Sequence, residues 1–277
     1  MGILRSFAKI KIDWPTFQLA GVALASLTIY ILAFFLPANL FENYTRTRLE
    51  LKLLAGGGSP AYARMVLVFL CLAVLYIIGF RSARRTQSRA AWAIVIVAAL
   101  AFAITLLLIA PFDAADIYDN IFHGRIRGVY GANPYQQVIA DYPQDPFYDY
   151  TAWKRSTSAY GPVWEIMAGL AARWAGDGII PNVLTFKLLP GLFHIVAVVI
   201  VWVFLRQTQP EYALAGVLLL AWNPVVLYET WGNGHNDMAM TVWILAAVWF
   251  VRMRRYTLSV VSLTFGALVK FIPLLLF

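Results

Sequence analysis

The stretch "DIYDNIFHGRIRGVYGANPY" (116–135) sets Asp116, Asp119, His123, Arg125 and Arg127 within twelve residues, between long apolar runs. A carboxylate can accept the proton of an attacking hydroxyl. Cationic side chains can balance the charge of a departing phosphate. Together they fit transfer of a group such as a sugar from a phosphate leaving group to an acceptor hydroxyl, with in-line attack and inversion at the carbon attacked. Two further clusters carry similar groups. "SAYGPVWE" (158–165) holds Tyr160 and Glu165, and "WNPVVLYETWGNGHND" (222–237) holds Glu229, Asn233, His235, Asn236 and Asp237. Lys270 lies within the apolar run "ALVKFIPLLLF", and an ionisable residue at membrane depth marks a functional site by default.

Each of these residues also has an ordinary reading. Asp113 or Asp116 serves as a helix N-cap, and Asp237 serves the next helix in the same way. Glu165 suits the first turn of a helix opened by Pro162, where the dipole favours an anion. Arg125 and Arg127 are able to touch lipid headgroups. Lys270 is able to snorkel or to pair with a carboxylate. His235 has no capping duty, which keeps it a site candidate.

The elements that position these residues are transmembrane. The chain is 61% hydrophobic and 13% charged over 277 residues, against about 45–50% and about 25% for soluble domains. A net charge of +8 reads as loop charge that sets topology rather than as a nucleic-acid surface. Cys71, a lone cysteine, excludes a disulfide framework. The segments 17–37, 61–80, 91–112, 183–205, 212–230, 238–251 and 258–277 approach the roughly 20 apolar residues a spanning helix needs. The segment 17–37 exceeds a signal-peptide core of about 7–15 residues and reads as a retained span. Asn223-Pro224 breaks the span 212–230, which requires protein or a water-filled cavity beside it.

"PVWEIMAGLAARWAG" (162–176) is apolar but short. If it lies on the surface, Arg5, Lys9 and Lys11, the run "RSARRTQSR" (81–89), Arg206 and "RMRR" (252–255) all fall on the cytoplasmic side. The long loop 113–182 and the turn 231–237 then share the opposite face. On a helix over 116–129, Ile117, Tyr118, Ile121, Phe122, Ile126 and Val129 take one half. Asp116, Asn120, His123 and Arg127 form a stripe opposite, flanked by Asp119. Arg125 falls on the apolar side and is expected to snorkel. The pattern predicts an amphipathic helix at the membrane surface, its polar stripe facing water or a cavity.

In order and spacing, these motifs and the "KFIP" that ends them resemble the GT-C-type polyprenol-phosphate-mannose-dependent mannosyltransferases. The likeness covers roughly residues 91–277 and is nearest to the bacterial α-mannosyltransferases of lipoglycan synthesis. It extends more distantly to glycosylphosphatidylinositol mannosyltransferase I. The resemblance implies that Asp116 is the key carboxylate of an acidic motif just after a span, with Asp119 in a looser position. It implies that Asn233, His235 and Asn236 approach the same cavity and that Lys270 is the Lys of a late Lys-x-x-Pro pattern. The expected fold is an all-α, polytopic transmembrane bundle of about seven spans. It forms one domain over 1–277, with amphipathic surface helices in the outer loop 113–182. The chain stops where the family continues, so a C-terminal truncation is expected.

The expected function is a membrane glycosyltransferase of the bacterial plasma membrane, active on the outer face. It takes a hexose, mannose by the resemblance, from a polyprenyl-phosphate donor to a lipid or glycan acceptor. Asp116 and Asp119 are the catalytic candidates. His123, Arg127, Asn233, His235, Asn236 and Lys270 are the donor-binding candidates, and Tyr160, Glu165 and Glu229 stand in support. No cofactor or nucleic-acid partner is expected, and Asp113, Asp116 and Asp119, spaced by threes, do not indicate a metal pair. The alternative is a polytopic transporter or lipid flippase, since broken helices and a buried Lys suit that class too.

Overall fold

The computed structural model describes residues 13–46, 59–111 and 115–276. Among them every named element is helical. Helix α1 (Trp14–Tyr30) begins on Asp13, whose side chain accepts from the Thr16 N–H at 3.0 Å. It runs on through a wide turn at Ile31–Phe35 to Leu36–Ala38. Next come α2 (Ser59–Ala83) and α3 (Arg89–Leu107), the latter capped by Ser88. The loop helices are α4 (Asp116–Gly128) and α5 (Pro162–Ala175). The chain continues through α6 (Ile179–Thr208), α7 (Ala213–Ala221), α8 (Pro224–Leu227, leading into a wide turn at Tyr228–Gly232), α9 (Asp237–Arg252) and α10 (Tyr256–Val269).

Four of these helices are long and apolar enough to cross a membrane: Trp14–Ala38, Tyr62–Ala83, Arg89–Leu107 and Ile179–Thr208. The pair Pro210–Ala221 and Pro224–Gly232, bent by 46°, makes a fifth if counted as one span. The bend falls at Asn223-Pro224 as expected, and the Asn223 side chain accepts from the freed N–H groups of Val225 and Val226. Among the described residues the expected count of seven is not confirmed. The segment 238–251 forms a helix of 16 residues and 258–277 one of 14. At 1.5 Å per residue these are about 24 and 21 Å long, short of a hydrocarbon core of about 30 Å. The last segment stops because Lys270 turns extended (φ −151°, ψ 136°).

Hydrogen bonds gather the turns at two ends of the bundle. At one end the Thr16 hydroxyl lies 2.9 Å from that of Ser88, Gln87 donates to the Glu211 carbonyl, and the Arg84 guanidinium sits over the Tyr212 ring. At the other end Asn39 pairs with Ile109, and the Tyr150 hydroxyl donates to the Tyr44 carbonyl. The loop between α4 and α5 and the turn after α8 meet at this second end. Sequence charge had put those two segments together.

Helix α4 differs from expectation. It is not a surface helix with a wet stripe, because every residue from Ile117 to Ile126 is buried. The loop folds over its polar side and supplies the bonding partners that water would have given. Against its other side, Gly128 lets α5 come close, since a Cβ there would overlap the Gly169 carbonyl. Arg125 does not snorkel either. It is 2% exposed, 2.7 Å from both Asp145 and Asp177, and it donates to the Gly176 carbonyl. A buried guanidinium needs carboxylates, and two loops bring them. Helix α5 is amphipathic, as an interfacial helix has to be. Trp164, Glu165, Ala168 and Ala172 point inward, while Ile166, Leu170 and Trp174 form an exposed apolar stripe at i, i+4 and i+8.

Candidate active site

The site end is built by three short connections. Asp116 opens α4 and so projects from its first turn. The wide turn Tyr228–Gly232 carries Glu229 inward and lets the chain double back, with the His235 N–H on the Glu229 carbonyl at 2.9 Å. At Tyr160-Gly161 the chain lies flat on the end of α10. The Gly161 N–H donates to the Val269 carbonyl, and a Cβ on Gly161 would overlap the Leu268 carbonyl. That contact brings Tyr160 beside Lys270. The Asn-Pro-Tyr that closes the acidic stretch serves the same turn. The Pro134 carbonyl accepts from the Ser158 N–H, and the Tyr135 hydroxyl donates to the Tyr160 carbonyl.

His235 is the centre of the cluster. Its Nδ1 is 2.5 Å from the Glu229 carboxylate, and its Nε2 is 3.7 Å from that of Asp116. Asn233 donates to the same Glu229 oxygen at 3.3 Å. The Asp116 and Glu229 carboxylates push the imidazole up to about 9, so it is a cation at neutral pH. The His235 imidazole in turn holds Asp116 below the usual carboxylate range, and the charge of Lys270 adds to this. Asp116 remains half exposed and ionised. Lys270 bonds Asp237 at 2.6 Å and stands 5.8 Å from the centre of the Tyr160 ring. A pairing of Lys270 with a carboxylate was the plain expectation, and Asp237 is that carboxylate. Asp237 itself is the first residue of α9, with Asn236 in the capping position. Asn236 is buried, and its side-chain nitrogen has no partner among the described residues.

The remaining candidates sit apart from this cluster. Asp119 is buried, and one oxygen accepts from the N–H groups of Ala152 and Trp153 at 3.2 Å. Burial pushes it up to about 6, with the nearby Asp116 charge adding. Its geometry ties the loop to α4. His123 is buried, with Nε2 3.3 Å from the Ser156 carbonyl and its pKa lowered by burial. Arg127 is exposed, eleven residues along α4 from Asp116, about 16 Å at 1.5 Å per residue. Its aliphatic stem lies across Gly169. Asn120 links the two halves of the loop, donating to the Tyr160 hydroxyl and accepting from the Trp164 indole. Glu165 is 1% exposed, accepts from the Ser158 hydroxyl, and is pushed up to about 7 by burial. Asp113 lies outside the described residues. Among the described residues, no group of three His, Cys, Asp or Glu is placed to hold a metal ion.

Two buried groups escaped the sequence reading. Lys187, wholly buried in α6, donates to the carbonyls of Leu106, Leu107 and Ile109. It caps the C-terminal end of α3, where a cation is favoured. His194 accepts from the Trp231 indole at 2.9 Å and lies 3.1 Å from the Leu220 carbonyl. A search for ionisable residues inside the span 183–205 would have found both.

A family model described as "Alpha-(1->6)-mannopyranosyltransferase, N-terminal domain" matches residues 19–277. The chain belongs to this family. Among curated relatives it is similar to alpha-(1->6)-mannopyranosyltransferase A of Mycobacterium tuberculosis, 24% identical over 170 residues. That alignment takes in 60% of this chain and 32% of the relative. No solved structure matches. The family match takes in every residue of the cluster, from Asp116 to Lys270. The resemblance drawn from the motifs is therefore to the right family.

Proposed function

We propose that the chain carries the reaction centre of a membrane mannosyltransferase that draws mannose from a polyprenyl-phosphate donor. The acceptor is a hydroxyl of a lipid or glycan. The acceptor oxygen attacks the anomeric carbon from the side opposite the phosphate. Its proton passes to the Asp116 carboxylate, the bond from the anomeric carbon to the phosphate oxygen breaks, and the polyprenyl phosphate leaves with the bonding pair. The His235 imidazolium and the Lys270 ammonium offset the charge that grows on that phosphate. Glu229 keeps the imidazole protonated and oriented. Asp119 and Asn120 hold the loop that positions Asp116.

The observation that carries this reading is the convergence of a half-exposed, ionised carboxylate with an imidazolium 3.7 Å away and a Lys whose charge reaches it. Charge distribution supports an outward-facing site. The opposite end of the bundle bears Arg81, Arg84, Arg85, Arg89 and Arg206, the signature of a cytoplasmic face.

The donor class is tested by giving the full-length protein, in membranes, radiolabelled mannose on polyprenyl phosphate or on a nucleoside diphosphate. The reading expects label in a lipid or glycan product from the first donor only. Equal transfer from the nucleotide donor would overturn it.

A further inference from the structure

An apolar groove of about 600 Å³ runs between α3 and α6, and Trp231, from the turn that carries Glu229, is among its lining residues. On α3 it extends from Arg89 to Ala103, about 21 Å at 1.5 Å per residue. Trp92 and Ala99 line one wall, and Val198 and Trp202 line the other. Its one polar side chain at depth, His194, has both ring nitrogens engaged by Trp231 and the Leu220 carbonyl. The interior therefore suits hydrocarbon rather than sugar or peptide.

The mouth is different. Arg89 and Arg206 both line it, and both are exposed. Among the described residues, neither has a carboxylate within 4.0 Å. Arg206 lies over the Trp202 ring, 5.4 Å from its centre, which holds its guanidinium at the groove. Arg89 is the first residue of α3, where the helix dipole disfavours a cation. Arg89 and Arg206 both belong to the arginines of this end of the bundle, and as lining residues of one groove they give it a positive end that suits an anion. Basic pockets between membrane helices take anionic lipid headgroups in this way.

We propose that this groove binds one anionic diacyl phospholipid, its phosphate between Arg89 and Arg206 and one acyl chain along α3. None of Asp116, Glu229, His235 and Lys270 lines the groove.

The test is native mass spectrometry of the full-length protein released from nanodiscs of mixed phosphatidylglycerol and phosphatidylcholine. One phosphatidylglycerol should stay bound in preference to phosphatidylcholine. Arg89→Ala with Arg206→Ala should lower that retention roughly thirty-fold, and Ala99→Trp should lower it by filling the groove with both arginines intact. Arg252→Ala with Arg254→Ala, equally basic but away from the groove, should leave it unchanged. Equal retention of both lipids would overturn the proposal. So would an equal loss in the Arg252/Arg254 pair, full retention in Ala99→Trp, or a second copy of the chain in place of lipid.

Discussion

Replacing Arg125 by Met should loosen the frame that holds α4. The guanidinium is 2.7 Å from Asp145, donates to the Gly176 carbonyl, and packs over the Phe147 ring at 5.1 Å. The Asp145 side chain is fully buried, whereas that of Asp177 is 80% exposed. The Asp177 pair is thus worth at most about 1 kcal/mol. The Asp145 pair decides the outcome. Without Arg125 its carboxylate keeps, among the described residues, the Tyr130 hydroxyl and the Phe147 N–H as donors. Breaking a buried pair from one side costs about 3–5 kcal/mol, which corresponds to a fall in Tm on the order of 10 °C for a protein of this size. Thermal unfolding of the full-length protein in detergent, followed by tryptophan fluorescence, reads this directly. Asp145→Asn combined with Arg125→Met removes the stranded charge, so the double variant should lose well under the sum of the two single losses. A Tm within about 2 °C of wild type for Arg125→Met, or strict additivity, would refute the reasoning.

Three further outcomes follow from the same geometry. Glu165 is pushed up to about 7 from 4.5 by burial. The folded state therefore holds its proton more tightly than the unfolded state, and stability should fall as pH rises from about 4.5 to 7. Glu165→Gln should flatten that slope and be the more stable form at pH 8 in urea unfolding, and a less stable Gln variant there would contradict this account. Glu229→Gln removes one of the two carboxylates that raise His235 to about 9. The alkaline limb of the kcat/KM profile for transfer should move to lower pH by roughly one unit, and an unmoved limb would remove Glu229 from this role. Gly128→Ala places a methyl on the Gly169 carbonyl and should lower Tm and activity together. Unchanged values in thermal and transfer assays would show that α4 and α5 do not need that contact.

Much of the candidate site was legible because membrane physics makes polar residues conspicuous. Asp116, Glu229, His235 and Lys270 each stood out against apolar neighbours, and the break at Asn223-Pro224 followed from proline chemistry. Charge bias placed the loop 113–182 with the turn 231–237, and the contact between Asp116 and His235 joins them. Periodicity misjudged α4, because a polar stripe looks the same whether it faces water or a folded loop. Nothing near Arg125 in sequence announces Asp145 or Asp177, twenty and fifty-two residues away. The count of seven is not confirmed, because α9 and α10 are shorter than a spanning helix. In the last segment apolar composition extends beyond the residues that stay α-helical, because the chain turns extended at Lys270.

The central claim is that Asp116 accepts the proton of the attacking hydroxyl. The direct measurement is transfer of radiolabelled mannose from polyprenyl-phosphate-mannose by the full-length protein in membranes, with wild type and Asp116→Asn compared at equal abundance and equal Tm. The account predicts product in wild type and its loss, by roughly 100-fold or more, in Asp116→Asn. Near-wild-type transfer by Asp116→Asn would contradict it.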